Sequence, residues 1–233
     1  MALRRGFKTD AERRSLEERV ALGIGKADRL DVFAFGAHLG IVFVTLESLR
    51  AGEAEDVEHL VAVDNECFSA ALNVVGDLRF VVYNERHPPG RQANSIAHEF
   101  AHYLLEHPPH PVFDALGNRI WDEDQEDEAN YLAGALLAPR DGLIAVMKQY
   151  GLDLDQAAAH YGISRELMNQ RWHQTGCAKQ VERARARVLA GALVTGRVEH
   201  DGTVRSVRKS CLAARRSACR ALIRQRKGGG VNG

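Results

Sequence analysis

Asn94-Ser95-Ile96-Ala97-His98-Glu99-Phe100-Ala101-His102-Tyr103-Leu104-Leu105 is the stretch on which the reading of this chain turns. The breaker His87-Pro88-Pro89-Gly90 precedes it and Pro108-Pro109 stops it, so the pattern predicts a helix from about Arg91 to Glu106. Residues four apart on a helix lie about 40° apart around the axis, so the imidazoles of His98 and His102 leave one face. They can reach a single ion at Zn–N distances of about 2.0–2.1 Å. Glu99, displaced about 100° from His98, can lean over the ion's open position as a general base without becoming a ligand. Ile96, Ala97, Phe100, Ala101, Leu104 and Leu105 supply apolar positions around the site, and a low-dielectric wall strengthens the electrostatic action of a metal.

Two histidines leave a catalytic zinc site one protein ligand short. The best candidate for the third is Glu128, in Glu126-Asp127-Glu128-Ala129-Asn130-Tyr131-Leu132. Leu132 and Leu136 follow it at four-residue steps on a second helix expected over about Glu123 to Ala138, and would draw its carboxylate inward. Burial of that kind is costly unless the charge is paired or bound to metal. Glu123, Asp124, Glu126 and Asp127 are its rivals, read mainly as solvated acids favoured at a helix start. A metzincin extension fails on spacing, because its glycine position is Leu105 and its third-histidine position is Pro108. On a continued helix His107 would point away from the ion, so His107 and His110 read as loop histidines.

The flanking segments point to an α+β fold, a small β-sheet packed against helices, one of them the zincin-type active-site helix. A helix is expected between Thr9 and Phe35, with Leu16, Val20 and Ile24 at helical spacing and Gly23 and Gly25 weakening its middle. Gly40–Leu46, Leu60–Val63 and Leu78–Asn84 read as strands. After Pro139 come three shorter helices capped by Asp141, by Asp153 or Asp155, and by Ser164. A helix near Lys179–Leu193, a hairpin over 194–207 turning at Asp201-Gly202, and a basic helix to about Lys227 complete the pattern. This divides the chain into a metallopeptidase domain (1–150), a helix-turn-helix-like segment (151–176) and a basic C-terminal region (177–233).

Of the 233 residues, 45% are hydrophobic and 27% charged, with a net charge of +0, an ordinary globular balance that excludes a global charge argument about partners. The charge is unevenly placed. Acids crowd between Trp121 and Glu128, whereas from Lys179 onward Lys and Arg outnumber Glu182, Glu199 and Asp201 several-fold. The start carries Arg4 and Arg5, and Lys8–Val20 is charged, so no secretory leader is expected. The longest uncharged stretch, Val32–Leu46, is too short for a membrane span. Cys67, Cys177, Cys211 and Cys219 lack metal-site spacing or an evident disulfide framework, as reduced thiols of a cytoplasmic protein would.

Taken together, these motifs resemble the ImmA/IrrE family of metallopeptidases. The resemblance is carried by Phe80-Val81-Val82-Tyr83-Asn84, by Arg91-Gln92 leading into Ile96-Ala97-His98-Glu99-x-x-His102-Tyr103-Leu104-Leu105, and by Glu128-Ala129-Asn130-Tyr131-Leu132-Ala133-Gly134-Ala135-Leu136-Leu137-Ala138-Pro139. Ala158-x-x-Tyr161-Gly162-Ile163-Ser164-Arg165 through Arg171 is similar to the family's helix-turn-helix-like segment. The likeness spans about Thr9 to Gly176. It implies a gluzincin-like site with Zn2+ held by His98, His102 and Glu128, and Glu99 as the catalytic glutamate. It also implies a protein substrate, a helix-turn-helix transcriptional repressor whose cleavage relieves repression. The sequence departs from the family at Ala101, often glycine, and at Ala138, often methionine. Neither change touches a ligand.

Tyr131, His160, Tyr161 and His173 are candidates for a second oxyanion donor. The competing function is a non-proteolytic DNA-binding or regulatory module. It would use the helix pair within 155–171, with Arg165 and Arg171 on phosphate and weak nucleic-acid contact from the basic C-terminus.

Overall fold

The computed structural model describes residues 3–51, 57–58, 68–108 and 122–195. Among these the fold is α+β, mostly helical with one three-stranded mixed sheet. The expected strand Leu60–Val63, the hairpin over 194–207, the basic helix to Lys227, and His110, Cys67, Cys211 and Cys219 lie outside the described residues. No helix among the described residues is long and apolar enough to cross a membrane.

The single N-terminal helix expected between Thr9 and Phe35 is two helices. α1 (Phe7–Ala21) ends before Gly23, whose φ of 70° is left-handed and halts helical propagation. α2 (Val32–His38) starts afresh at Asp31, whose side chain accepts from the backbone of Phe33 and Ala34. The buried face of α1 is also not the expected one. Phe7, Ala11, Ser15 and Arg19 recur every four residues and are all buried, whereas Val20 is 76% exposed. A polar serine and a charged arginine occupy inward positions, which a hydrophobic pattern cannot flag.

β1 (Ile41–Thr45) runs parallel to β3 (Leu78–Tyr83), and β2 (Ala70–Val75) pairs antiparallel with β3, giving the order β1-β3-β2. β2 was not anticipated. It joins β3 through the two-residue turn Gly76-Asp77, with Val75 opposite Leu78 and Gly76 at φ 59°, as tight hairpins require. α3 (Pro89–Leu104) carries the two histidines and buries Ile96, Ala97, Phe100 and Ala101 completely. Phe100 meets Phe35 and Phe43 edge to face, fastening α3 to α2 and to β1.

α4 (Glu123–Leu137) is capped by Asp122, which accepts from Asp124 and Gln125, and it packs against both α3 and α1. Ala129 and Tyr131 through Leu137 are all buried, so this helix is enclosed nearly all round. Two buried arginines close its C-terminal end, where carbonyls lack helical partners. Arg19 donates through Nη2 to the carbonyls of Leu136 (2.9 Å) and Leu137 (3.1 Å), and Arg171 donates through Nε to that of Ala138 (3.1 Å).

α5 (Arg140–Gln149) follows Pro139, so Asp141 sits inside its first turn and is not the cap. Gly142 on α5 lies against the Lys26 carbonyl and Tyr161. A Cβ there would collide with Lys26 O and stand 2.7 Å from Tyr161 Oη. Gly142→Ala is therefore expected to destabilise the fold by about 1–3 kcal/mol through overpacking, read as a lowered midpoint in urea unfolding. An unchanged midpoint would mean the α5 backbone yields freely.

α6 (Leu154–Tyr161) and α7 (Arg165–Gln174) are capped by Asp153 and Ser164, and meet at Gly162 (φ 68°). The backbone of Ile163 and Ser164 packs against Gly90 at the start of α3. Arg171, expected to be free for phosphate, is 1% exposed and bound to Glu12 at 2.6 Å. Arg165 pairs with Asp155 at the surface, 3.1 Å away. α8 (Cys177–Thr195) follows, with Cys177 buried. The described elements as far as Arg185 belong to one compact unit.

Candidate metal centre

The centre lies where α3 faces the first turns of α4. His98 Nε2 and His102 Nε2 are 3.0 Å apart. Glu126 reaches both, with Oε2 3.2 Å from His98 Nε2 and Oε1 3.5 Å from His102 Nε2. These are the three residues among the described ones whose ligand atoms gather within 4.8 Å of one another. A tetrahedral ion with bonds of about 2.0–2.1 Å needs ligand atoms about 3.3 Å apart, and the observed separations straddle that value. The two imidazoles and one carboxylate therefore fit a catalytic zinc site with one position left over.

Glu126 stands where the sequence reading placed Glu128. Two residues along a helix is a turn of about 200°, so the two carboxylates leave α4 on opposite sides and cannot exchange places. Glu126 shares a face with Asn130, four residues on, and both meet α3. The Asn130 Oδ1 lies 3.1 Å from His98 Nδ1. Glu128 instead contacts Arg4 (2.9 Å) and His107 (3.6 Å).

His107 is also not where a continued helix would carry it. α3 ends at Leu104 with Leu105 as its C-cap, and Glu106 adopts φ 53°. The chain folds back so that His107 N bonds to His102 O and Glu106 N to Tyr103 O, a Schellman closure. This sets His107 Nδ1 2.9 Å from His102 Nδ1.

Glu99 is held differently. Its Oε2 accepts the backbone N–H of Leu72 on β2 at 2.9 Å, so this strand fixes the carboxylate beside the histidines. Burial pushes the Glu99 carboxyl up to about 7; the Leu72 donor opposes this and the charge of Glu126 adds to it. Burial likewise lowers His102 to about 4, with His98 and His107 adding in the same direction. Burial lowers His98 too, against the pull of Glu126 and Asn130. Neutral imidazoles with free lone pairs are the form that binds a metal.

Two of the four oxyanion-donor candidates are committed elsewhere, and a third is enclosed with its hydroxyl unpartnered among the described residues. The Tyr131 hydroxyl bonds to Glu12, His160 lies between Tyr150 and the Ala27 carbonyl, and Tyr161 is 1% exposed. His173 is exposed on α7. Asn130 also lines a polar cleft of about 760 Å³, with Asn94, Asp127, Lys8, Arg5 and Gln170 among its walls; His98, His102, Glu99 and Glu126 do not line it. Asn130 was legible in principle, being four residues beyond Glu126. The β2 backbone donor has no side-chain signature.

The chain is similar to the structure of a Mycobacterium tuberculosis transcriptional regulator at 18% identity and a TM-score of 0.41. The likeness covers 72% of this chain and 47% of that one, under half of its length. No curated protein matches the sequence significantly. Residues 58–173 match the IrrE N-terminal-like domain of peptidase family M78, and that span contains both histidines, Glu99 and Glu126. Through this domain the chain belongs to the ImmA/IrrE family.

Proposed function

We propose that the protein is a zinc-dependent endopeptidase and that its substrate is a protein, a helix-turn-helix transcriptional repressor. The observation that carries the hydrolytic reading is the convergence of His98 Nε2, His102 Nε2 and Glu126 on one point, with the Glu99 carboxylate fixed beside them by Leu72. The repressor substrate rests on the family resemblance.

His98, His102 and Glu126 would hold the ion. Zinc bound there supplies Lewis-acid chemistry, polarising a peptide carbonyl and activating water at neutral pH. Glu99 Oε2 is engaged by Leu72, which leaves Oε1 to take the proton of the attacking water and pass it to the departing amine. Among the described residues β2 is an edge strand, and its outer backbone groups can pair with an extended peptide laid alongside.

The test is metal-dependent cleavage. Purified protein incubated with repressors encoded near it is expected to cut one of them, to stop with 1,10-phenanthroline, and to resume when zinc is restored. A protein that takes up no zinc at micromolar concentration, or whose cleavage ignores the chelator, would sink the proposal.

A further inference from the structure

We infer that His107 and Glu128 form an outer support for the metal site, fixing the tautomer and orientation of His102 from behind. The inference rests on the metal-site reading above and adds two positioning residues to it.

The protons can be followed along the chain of contacts. His102 turns Nε2 toward His98 and Glu126, so as a neutral ligand it carries its proton on Nδ1. That nitrogen is 2.9 Å from His107 Nδ1. Two bare ring nitrogens would repel at this distance, so His102 Nδ1–H donates and His107 Nδ1 accepts. His107 then carries its proton on Nε2, which points at Glu128 Oε2. Their 3.6 Å is an ion-pair separation and longer than a hydrogen bond, so Glu128 orients this ring mainly by charge. Arg4, donating through Nε to Glu128 Oε1 at 2.9 Å, fixes the far end. The other ligand has a matching arrangement, His98 Nδ1 against Asn130 Oδ1. Both imidazoles thus present Nε2 to the ion with Nδ1–H anchored behind, the arrangement that raises ligand basicity and holds ring orientation in metal sites.

A separate observation points the same way. Glu106, with φ 53°, holds a backbone conformation that costs a non-glycine residue energy and persists only where its surroundings impose it. Its consequence is that His107 folds back onto His102. His107 is nearly enclosed, its side chain 9% exposed, and is therefore held in place. Glu128 stands outside the cluster of His98, His102 and Glu126 and acts on it through this histidine.

The experiment measures zinc affinity of the full chain by competition with a chelating dye, together with the visible spectrum of the Co2+-substituted protein. His107→Ala is expected to weaken zinc binding by about 10–100-fold, with an altered Co2+ band because His102 is free to turn. His107→Gln, which keeps an acceptor for His102 and a donor for Glu128, is expected to restore most of the affinity. Glu128→Gln should give a smaller loss than His107→Ala, and little further loss when added to it. Circular dichroism separates these effects from unfolding. Unchanged affinity and spectrum in His107→Ala overturn the inference, as does a His107→Gln variant no better than the alanine. A Glu128→Ala variant that loses zinc as completely as Glu126→Ala, while His107→Ala keeps it, would make Glu128 a ligand in its own right. Failure of the wild-type protein to bind zinc is a different result, and it strikes the metallopeptidase reading itself.

Discussion

Glu99→Gln is expected to bind zinc as tightly as the wild-type protein and to lose peptide hydrolysis by roughly a thousandfold, within the range of about 10²–10⁴ that positioned acid–base groups contribute. The substitution is close to isosteric. The amide oxygen can still accept the Leu72 N–H that Glu99 Oε2 accepts now, so the side chain should keep its place against β2. Glu99 does not belong to the cluster of His98, His102 and Glu126, so the ligand set is untouched. What the amide cannot do is take a proton at the second position, where an NH2 donor replaces the basic Oε1. Substituting Glu126 instead should remove the metal and the activity together, and the contrast between these two losses assigns the roles. The measurement is zinc content by elemental analysis beside the cleavage rate under identical loading. Cleavage retained within tenfold by metal-loaded Glu99→Gln would take Glu99 out of the chemistry.

The parts of this site visible in the sequence are those set by one helix alone. His98 and His102 are related by the α-helical repeat, and the proline breakers on either side bound the helix, so its extent was expected to within two residues of Pro89–Leu104. Which carboxylate meets the histidines depends on how a second helix is rotated against the first, and there the reasoning from burial pointed to Glu128 whereas the cluster contains Glu126. It took Leu132 and Leu136 to mark the side of α4 that matters, and both are indeed buried. But α4 is wedged between α1 and α3 and is buried on almost every side, so inward does not mean toward the histidines. Glu128 lies on the side of Arg4, Glu126 on the side of His98. The same limit hid His107. Its contact with His102 depends on one left-handed residue, Glu106, at a position where no glycine or asparagine advertises a turn. β2 escaped because Ala70–Val75 opens on two alanines and has Asn73 as its one polar residue, so it shows no apolar–polar alternation, and its partnership is set by pairing with β3.

A second large effect is expected far from the chemistry. Glu12→Ala should lower stability by about 3–5 kcal/mol, the cost of stranding a buried charge. That corresponds to a melting temperature lower by about 10 °C, at about 2–4 °C per kcal/mol for a unit of this size. Glu12 joins four helices. Its Oε1 accepts from Arg171 Nη2 at 2.6 Å and from the Tyr131 hydroxyl at 3.1 Å, and its Oε2 accepts the Arg140 N–H at the start of α5 at 2.9 Å. Arg171 is 1% exposed, with its guanidinium 5.1 Å from the centre of the Tyr131 ring and its aliphatic stem where a Cβ on Gly134 would be. Without Glu12 that cation keeps a single carbonyl, Ala138 O, as its described acceptor. A buried pair is costly to break and cheap to replace. Glu12→Met combined with Arg171→Met should therefore recover much of the stability that Glu12→Ala loses. The ordering of the three proteins in thermal unfolding is the check, and a single variant within about 2 °C of wild type, below the shift that even 1 kcal/mol is expected to produce, would show the pair to be dispensable. The pair matters to the site because Arg171 and Glu12 grip α4 at its C-terminal end and at Tyr131. Loosening that grip lets α4 slide or turn against α3, and a displacement of even about an ångström there separates Glu126 from the histidines enough to weaken metal binding.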